Sequence, residues 1–260
     1  MQDLKVTLIQ SELVWEDIAS NLKGFDKKIN AIDEDTHLIV LPEMFSTGFT
    51  MNAAALAQDM EGSAVKWIKE TSTEKNVDIV GSIIADDGGK FFNRLVWAKP
   101  NGEIFTYDKK HLFRMAGEEK IYSAGTKNIT VELNGWKIRP FICYDLRFPV
   151  WTRNIANQFD AAIFIANWPE RRSAHWKTLL QARAIENQCY IIGVNRVGKD
   201  GNGLSYSGDS SLIDPWGTII FQKSNQPCTY TAQLSFNLLK RSREDFPVWM
   251  DADNDIIRSA

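Results

Sequence analysis

Cysteine is scarce in this chain, and patterns typical of exported or membrane-bound proteins are missing. Three cysteines among 260 residues are too few, and odd in number, for a disulfide framework, so we expect a reducing, cytoplasmic location. No apolar run approaches the ~18–20 residues that span a bilayer. The N-terminus has no basic segment followed by an apolar one. We therefore expect no secretory signal and no membrane partner.

An excess of basic residues is also missing. The 30 lysines and arginines against 33 acidic residues give a net charge of −3, whereas proteins that bind nucleic acids usually carry a basic excess. The sequence contains no Cys-x-x-Cys or His-x-x-x-His spacing, and no Walker or Gly-x-Gly-x-x-Gly pattern. We expect no nucleic-acid partner, no metal and no cofactor.

Apolar residues, at 44%, suffice for one sizeable core, and they alternate between strand and helix patterns. Strands are predicted at Leu4–Ile9, His37–Leu41, Val77–Ala85, Asp160–Asn167 and Tyr190–Val197, and helices over 22–32, at Val65–Lys75, after Pro149 and at Ser173–Asn187. Hairpins are predicted at Arg94–Asp108, Ile129–Ile142 and Ser210–Gln222. This order indicates one α/β domain over 1–260, with mixed sheets and outer helices. The polar segment at about 238–260 predicts a surface arm that reaches a neighbouring subunit.

Two charged side chains follow predicted strands. Glu43, in Leu-Pro-Glu-Met-Phe, lies where α/β folds place active sites, at the carboxyl end of a buried strand. A surface glutamate that caps a turn is the alternative. Lys109 follows a long hairpin, in Tyr-Asp-Lys-Lys-His-Leu-Phe, where a solvated charge pair with Lys110 is the alternative.

Cys143 ends an apolar strand, and the polar run after it takes the chain out of the core. The thiol could therefore face a cleft, where the dipole of a helix beginning near Pro149 would lower its pKa. An inert packed thiol is the alternative. A Cys–His pair would need a histidine to accept the thiol proton, and both His111 and His175 remain open for that role. His111 could equally be a packed core histidine.

The three motifs, taken in order, resemble those of the nitrilase (carbon–nitrogen hydrolase) superfamily, over Leu4 to about Gln222. They are Leu-Pro-Glu-Met-Phe, Tyr-Asp-Lys-Lys-His-Leu-Phe and Ile-Cys-Tyr-Asp-Leu-Arg-Phe. The resemblance implies a Glu43–Lys109–Cys143 triad and an α-β-β-α sandwich that usually dimerises, so we expect a homodimer. The family also often has a second supporting glutamate, which Glu118 matches, with Glu119 as the alternative.

The omega-amidase subgroup is the most similar part of that family. The shared segments are 43–49, 111–116 and 245–253. The resemblance implies hydrolysis of the terminal amide of 2-oxoglutaramate or 2-oxosuccinamate through a cysteine thioester. The alternatives are another nitrilase-family amide, carbamoyl or nitrile hydrolase, and a non-catalytic interaction protein on the same scaffold.

The chemistry assigns further roles. Glu43 would act as general base, Lys109 would stabilise the oxyanion, and the backbone N–H of Tyr144 would be the second oxyanion donor. An oxo-acid amide carries a distant carboxylate, for which a bidentate arginine is the natural partner. Arg172, shared with the subgroup, is the candidate, and a surface arginine is the alternative. Phe45 and Trp168 would form apolar walls, unless they only pack in the core.

Overall fold

The computed structural model describes residues 2–253, and most of its strands coincide with the predicted apolar segments. The strands are β1 (Leu4–Gln10), β2 (Leu38–Val40), β3 (Asp78–Asp87), β4 (Lys90–Ala98), β5 (Ile104–Asp108), β6 (Val131–Leu133), β7 (Trp136–Ile142), β8 (Ala161–Ala166), β9 (Tyr190–Asn195), β10 (Val197–Lys199), β11 (Ser205–Ile213), β12 (Ile219–Ser224) and β13 (Cys228–Leu234). All three predicted hairpins are confirmed, as β4–β5, β6–β7 and β11–β12. Strands β10 and β13 were not predicted.

The helices have recognisable end signals. They are α1 (Ile18–Asn30), α2 (Ala53–Leu56), α3 (Ser63–Lys75), α4 (Glu118–Ile121), α5 (Ser173–Asn187) and α6 (Phe236–Asp245). Asp17 caps α1 by accepting the N–H of Ser20, and α5 ends at Gln188 in a left-handed conformation. Within residues 2–253, no helix is both long and apolar enough to cross a membrane.

The strands form two mixed sheets within the described residues. The first has the order β13-β1-β2-β3-β4-β5, and the second has the order β10-β11-β9-β8-β7-β6, with β12 paired to β11. In the first sheet β1, β2 and β3 are parallel, and in the second β7, β8 and β9 are parallel. The other strand pairs are antiparallel, as expected where hairpins are mixed with crossover helices.

Successive side chains of a strand in the first sheet point to opposite faces, and so contribute to two different core layers. Leu38 and Val40 of β2 belong to the core shared with the second sheet, whereas Ile39 belongs to the core beneath α1 and α3. On the other side, Trp176 and Leu180 of α5 pack against the second sheet. The predicted α-β-β-α sandwich is confirmed, and its central layer of side chains is sealed between the sheets.

The helix predicted after Pro149 is wrong. The residues there form turns and a short 3₁₀ helix, Ile155–Asn157, while another 3₁₀ helix, Cys143–Arg147, begins earlier. The side chain of Asn154 accepts the N–H of Phe159 and donates to its carbonyl, which closes a loop. Such side-chain bonds to the backbone compete with helix formation.

The predicted C-terminal arm is, up to residue 253, in contact with its own chain. Leu239 of α6 is buried in the core, and Arg243 pairs with Asp160 at 2.8 Å. A one-turn 3₁₀ helix, Val248–Asp251, follows. Residues 254–260 lie outside the described residues, and contact of the arm with a second subunit stays a prediction.

Candidate active site

Three strand ends from both sheets meet at one cavity of about 520 Å³. Glu43 follows β2 and Lys109 follows β5 in the first sheet, and Cys143 follows β7 in the second. All three side chains line the cavity. The predicted triad residues are therefore brought together by the packing of one sheet on the other.

Lys109 is fully enclosed between two carboxylates. Its Nζ lies 2.9 Å from Oε1 of Glu43 and 3.0 Å from both carboxylate oxygens of Glu118, and all three side chains are buried. The ring of Phe49 covers the ammonium, with its centroid 5.0 Å from Nζ. Glu118, rather than Glu119, is thus the acidic residue that contacts Lys109.

The charges of this cluster explain its pKa shifts. Burial alone would lower the pKa of Lys109, but the negative charges of Glu118 and Glu43 outweigh burial and hold that pKa well above its usual range. Burial raises the pKa of Glu118. The positive charge of Lys109 opposes this rise, and the negative charge of Glu43 adds to it.

Glu43 is held by donors from both sheets. Its Oε1 accepts hydrogen bonds from Lys109 and from Nδ2 of Asn93, at 2.9 and 2.8 Å. Its Oε2 accepts the backbone N–H of Asn167 at 2.7 Å, at the carboxyl end of β8. The side chain of Asn167 also donates to the carbonyl of Glu43. The carboxylate therefore has a fixed position and orientation.

Cys143 lies on a sharp backbone turn. Its φ is +43°, in the left-handed region that non-glycine residues rarely adopt. Strain of this kind costs about 1–3 kcal/mol and clusters at functional sites. The turn opens the 3₁₀ helix Cys143–Arg147. Because Tyr144 is its second residue, the N–H of Tyr144 has no acceptor within the helix and is available to a ligand.

Asp145 ties this turn to the loop that carries Lys109. Its buried carboxylate accepts the hydroxyl of Tyr107 at 2.7 Å and the backbone N–H of Ile142 at 3.1 Å. It also accepts the backbone N–H of His111 at 3.0 Å and contacts Nδ1 of that histidine at 2.8 Å. Tyr107 and His111 lie two residues before and after Lys109, so Asp145 fixes both flanks of the lysine.

Burial raises the pKa of the Cys143 thiol well above its usual range, and the negative charge of Glu43 raises it further, while Lys109 opposes the rise. The helix near Pro149 that would have lowered this pKa does not exist. The thiol is consequently protonated at neutral pH, so that any reaction through its thiolate requires a base.

Neither candidate histidine is hydrogen-bonded to this thiol among the described residues. Nδ1 of His111 contacts Asp145, and its ring stacks on Phe148. His175 is exposed, and its Nδ1 lies 2.9 Å from a guanidinium nitrogen of Arg147. The geometry therefore offers Glu43, not a histidine, as the group beside the thiol.

Two arginines line the same cavity on aromatic platforms. The guanidinium of Arg147 lies 4.7 Å from the ring centroid of Trp168, and that of Arg172 lies 5.1 Å from the ring centroid of Phe113. Neither arginine forms an ion pair with a carboxylate within residues 2–253. Trp168 also donates its indole N–H to the carbonyl of Arg172 at 2.8 Å.

Of the two residues predicted to form apolar walls, one lines the cavity and the other lies in the core. Trp168 lines the cavity, but Phe45 does not: its ring is fully buried and packs against Phe25 and Trp67 beneath the first sheet. The aromatic wall near Lys109 is formed by Phe49 instead. Phe45 is thus a core residue, because the chain turns sharply after Glu43 and buries this ring.

Comparison with known proteins agrees with this geometry. Residues 5–244 match the sequence profile of the carbon-nitrogen hydrolase family. The chain is 48% identical to "Omega-amidase YafV" of Escherichia coli K12, over 97% of this chain and 98% of that protein. It is 33% identical to the "2-oxoglutaramate amidase" of Bacillus subtilis, over 96% and 98% of the two chains.

A solved structure shows the same fold. XC1258 of Xanthomonas campestris, described as a CN-hydrolase superfamily protein with an arsenic adduct in the active site, superimposes with a TM-score of 0.95. Its sequence is 41% identical, and the match covers 97% of this chain and 98% of that chain.

The raised thiol pKa predicts how Cys143 reacts with iodoacetamide. Because the thiolate is the reactive form, the alkylation rate should rise with pH, with a midpoint above the ~8.5 of an ordinary thiol. Glu43→Gln removes a negative charge that raises this pKa, so its midpoint should lie lower. Peptide mass spectrometry can follow Cys143 separately from Cys189 and Cys228.

Glu119→Gln is the matched control, because it removes a nearby carboxylate that does not contact Lys109, and its midpoint should stay at the wild-type value. A wild-type midpoint below ~8.5, or an upward shift in Glu43→Gln, would contradict the electrostatic account of the site.

Proposed function

This chain belongs to the carbon–nitrogen hydrolase family, and from that premise we propose that it is an omega-amidase. It would hydrolyse the terminal amide of 2-oxoglutaramate or 2-oxosuccinamate to the 2-oxo dicarboxylate and ammonia. The observation that carries this proposal is the pair Arg147 and Arg172, which stand free of carboxylates in the cavity that holds Cys143. The similarity to proteins named omega-amidase and 2-oxoglutaramate amidase supports the same substrate class.

The first half of the reaction forms a thioester. Glu43 takes the thiol proton of Cys143 as Sγ attacks the amide carbon. The negative charge that develops on the carbonyl oxygen is stabilised by the Lys109 ammonium and by the N–H of Tyr144. Loss of one such donor typically costs ~3–4 kcal/mol of transition-state stabilisation. Glu43 then gives its proton to the nitrogen, the C–N bond breaks, and ammonia leaves.

The second half of the reaction restores the thiol. Glu43 takes a proton from a water molecule, which attacks the thioester carbon, and the same oxyanion donors stabilise the second tetrahedral intermediate. The C–S bond breaks, the carboxylic acid product leaves, and Cys143 regains its proton from Glu43. Glu118 contributes by holding the Lys109 ammonium in place from the side opposite Glu43.

The distal carboxylate of the substrate sets the specificity. A guanidinium that rests on an aromatic ring leaves the N–H groups at its edge for a carboxylate. One guanidinium nitrogen of Arg147 also contacts Nδ1 of His175. Arg172 is the proposed ligand, Arg147 is a second one, and Trp168 orders both through its ring and its indole N–H.

The first test is ammonia release from 2-oxoglutaramate by the wild type and by Cys143→Ala. Rapid release by the wild type and none by Cys143→Ala is the expected result, because the thiol forms the acyl-enzyme. Release from a neutral amide or a nitrile, but not from 2-oxoglutaramate, would keep the triad and overturn the proposed substrate.

The role of Arg172 is tested with two substrates. Arg172→Ala should raise KM for 2-oxoglutaramate by about 10- to 100-fold, the equivalent of one charged hydrogen-bonded contact. KM for an uncharged linear amide should change much less. Arg171→Ala is the matched control, because it removes the same charge from an exposed position at the cavity. Equal losses on both substrates would contradict the role of Arg172.

We further propose a cytoplasmic homodimer. Ile185 of α5, Trp216 in the β11–β12 turn and Phe246 after α6 are 52%, 47% and 56% exposed, and they lie beside one another. An apolar patch of this kind marks a protein interface. The three cysteines are unpaired, and a nucleophilic thiol needs reducing surroundings.

Sedimentation velocity tests the dimer. The wild type should sediment at twice the chain mass, and Trp216→Asp should shift the equilibrium toward the monomer, because it places a charge in the apolar patch. Val14→Asp, at another exposed apolar residue, is the control. A monomeric wild type would contradict the proposal.

A further inference from the structure

The side chain of Asn93 lies behind the general base rather than in the cavity. Asn93 is on β4 and fully buried, and it is outside the group of described residues that line the cavity. Its Nδ2 donates to Oε1 of Glu43 at 2.8 Å and to Oε1 of Glu118 at 3.4 Å. Its backbone carbonyl accepts the N–H of Lys109 at 3.0 Å. One neutral residue therefore contacts all three charged members of the cluster.

The orientation of this amide is dictated by its neighbours. An amide oxygen turned toward two carboxylates would be repelled, so the NH₂ group must face them. The consequence is that Oδ1 of Asn93 is buried and has no hydrogen-bond partner among the described residues. A buried unsatisfied acceptor costs about 1–3 kcal/mol.

The Asn93 amide limits which acceptor sites of the Glu43 carboxylate stay open. A carboxylate has about four acceptor sites, two on each oxygen. Oε1 uses both of its sites, one for Lys109 and one for Asn93. Oε2 accepts the N–H of Asn167, which leaves one site on Oε2. By elimination, Oε2 is the oxygen left to accept the thiol proton of Cys143.

We propose that Asn93 is a positioning residue that restricts proton transfer to Oε2 of Glu43. Without its amide, Oε1 would keep a free acceptor site, and the carboxylate could turn about its Cγ–Cδ bond and misdirect the proton. The neutral amide also separates Glu43 from Glu118 without adding charge to the cluster. The inference rests on the proposed base role of Glu43 but not on the oxo-acid substrate.

Asn93→Asp is the informative variant, because it keeps the shape and exchanges the donor for a titrating group. Ionised, the new carboxyl group cannot donate to Glu43, and it lies beside two other carboxylates, which favours its protonated form. Protonated, it can donate an O–H to Oε1. Activity of the variant relative to the wild type should therefore rise as the pH falls.

The other titratable groups around this position are known from the structure. Those that face the cluster are Glu43, Lys109, Glu118, Tyr122 and, beyond Glu43, the thiol of Cys143 and the hydroxyl of Tyr206. The neighbouring Arg94 is directed elsewhere, to Asp108 and Asp87. The wild type has all of these groups as well, so a ratio of variant to wild type isolates the new carboxyl group.

The experiment measures kcat and KM for ammonia release between about pH 5.5 and about pH 8.5. At the alkaline end Asn93→Asp should lose about 100-fold in kcat, the usual effect of a misplaced catalytic group, with KM little changed. The ratio of its kcat to the wild-type kcat should recover about tenfold or more toward the acidic end, because each pH unit changes the protonated fraction up to tenfold. A ratio that is independent of pH would overturn the proposal.

Two controls separate this role from folding and from the mechanism itself. Asn154→Asp changes a buried amide that bonds only Phe159 and the carbonyl of Asn187, so it should lower Tm without altering the pH profile. If Asn93→Asp does not fold, Asn93→Ser gives a second test without a titrating group, because its shorter side chain cannot replace the amide bridge: a fall in kcat at constant KM supports the proposal, and unchanged kcat overturns it.

Glu43→Gln separates a failure of the proposed base role of Glu43 from a failure of the proposed role of Asn93. If it retains full turnover, the base role of Glu43 fails. If it is inactive while Asn93→Asp behaves as the wild type at every pH, only the role of Asn93 fails.

Discussion

The ammonium of Lys109, buried between Glu43 and Glu118, is the interaction on which the site depends. An isolated buried charge is prohibitively costly, whereas a hydrogen-bonded cluster is tolerated. Removing one partner from such a cluster typically costs about 3–5 kcal/mol, because the remaining charge stays buried without compensation. The lysine thus holds together the end of β5, the start of α4 and, 66 residues away in the sequence, the end of β2. The geometry of the proposed base follows from that constraint.

The second constraint is that the proposed base and the proposed nucleophile belong to different sheets. Glu43 ends a strand of the first sheet and Cys143 a strand of the second, so their separation is set by the sealed core between the sheets. Two links keep this junction in register. The N–H of Asn167 reaches across to Glu43, and Asp145 bonds the turn at Cys143 to the residues that flank Lys109. Packing density in the core therefore controls catalytic geometry directly.

Much of this could be predicted from the sequence where the signal is local. The turns at Asn101-Gly102 and Asn134-Gly135 identified two hairpins, and the polar residues after apolar runs identified the strand ends that carry Glu43 and Cys143. The supporting Asn93 could not be found in this way, because its partner Glu43 is 50 residues away and an asparagine within a strand carries no local sign of what it faces. Phe45 was misplaced for a similar reason: only tertiary packing shows that the chain turns its ring into the core.

The electrostatics also explain why a protonated thiol suits this site. Burial of Cys143 and the negative charge of Glu43 both oppose ionisation of its thiol, against the effect of Lys109. A resting thiolate would react with incidental electrophiles and oxidants. In the proposed reaction the thiol keeps its proton at rest, and the strong nucleophile arises only as the proton passes to Glu43 and the new charge develops beside Lys109 and the N–H of Tyr144. Burial and the Glu43 carboxylate favour the thiol before the reaction, and the proposed oxyanion donors favour the transition state, which is the differential binding that catalysis requires.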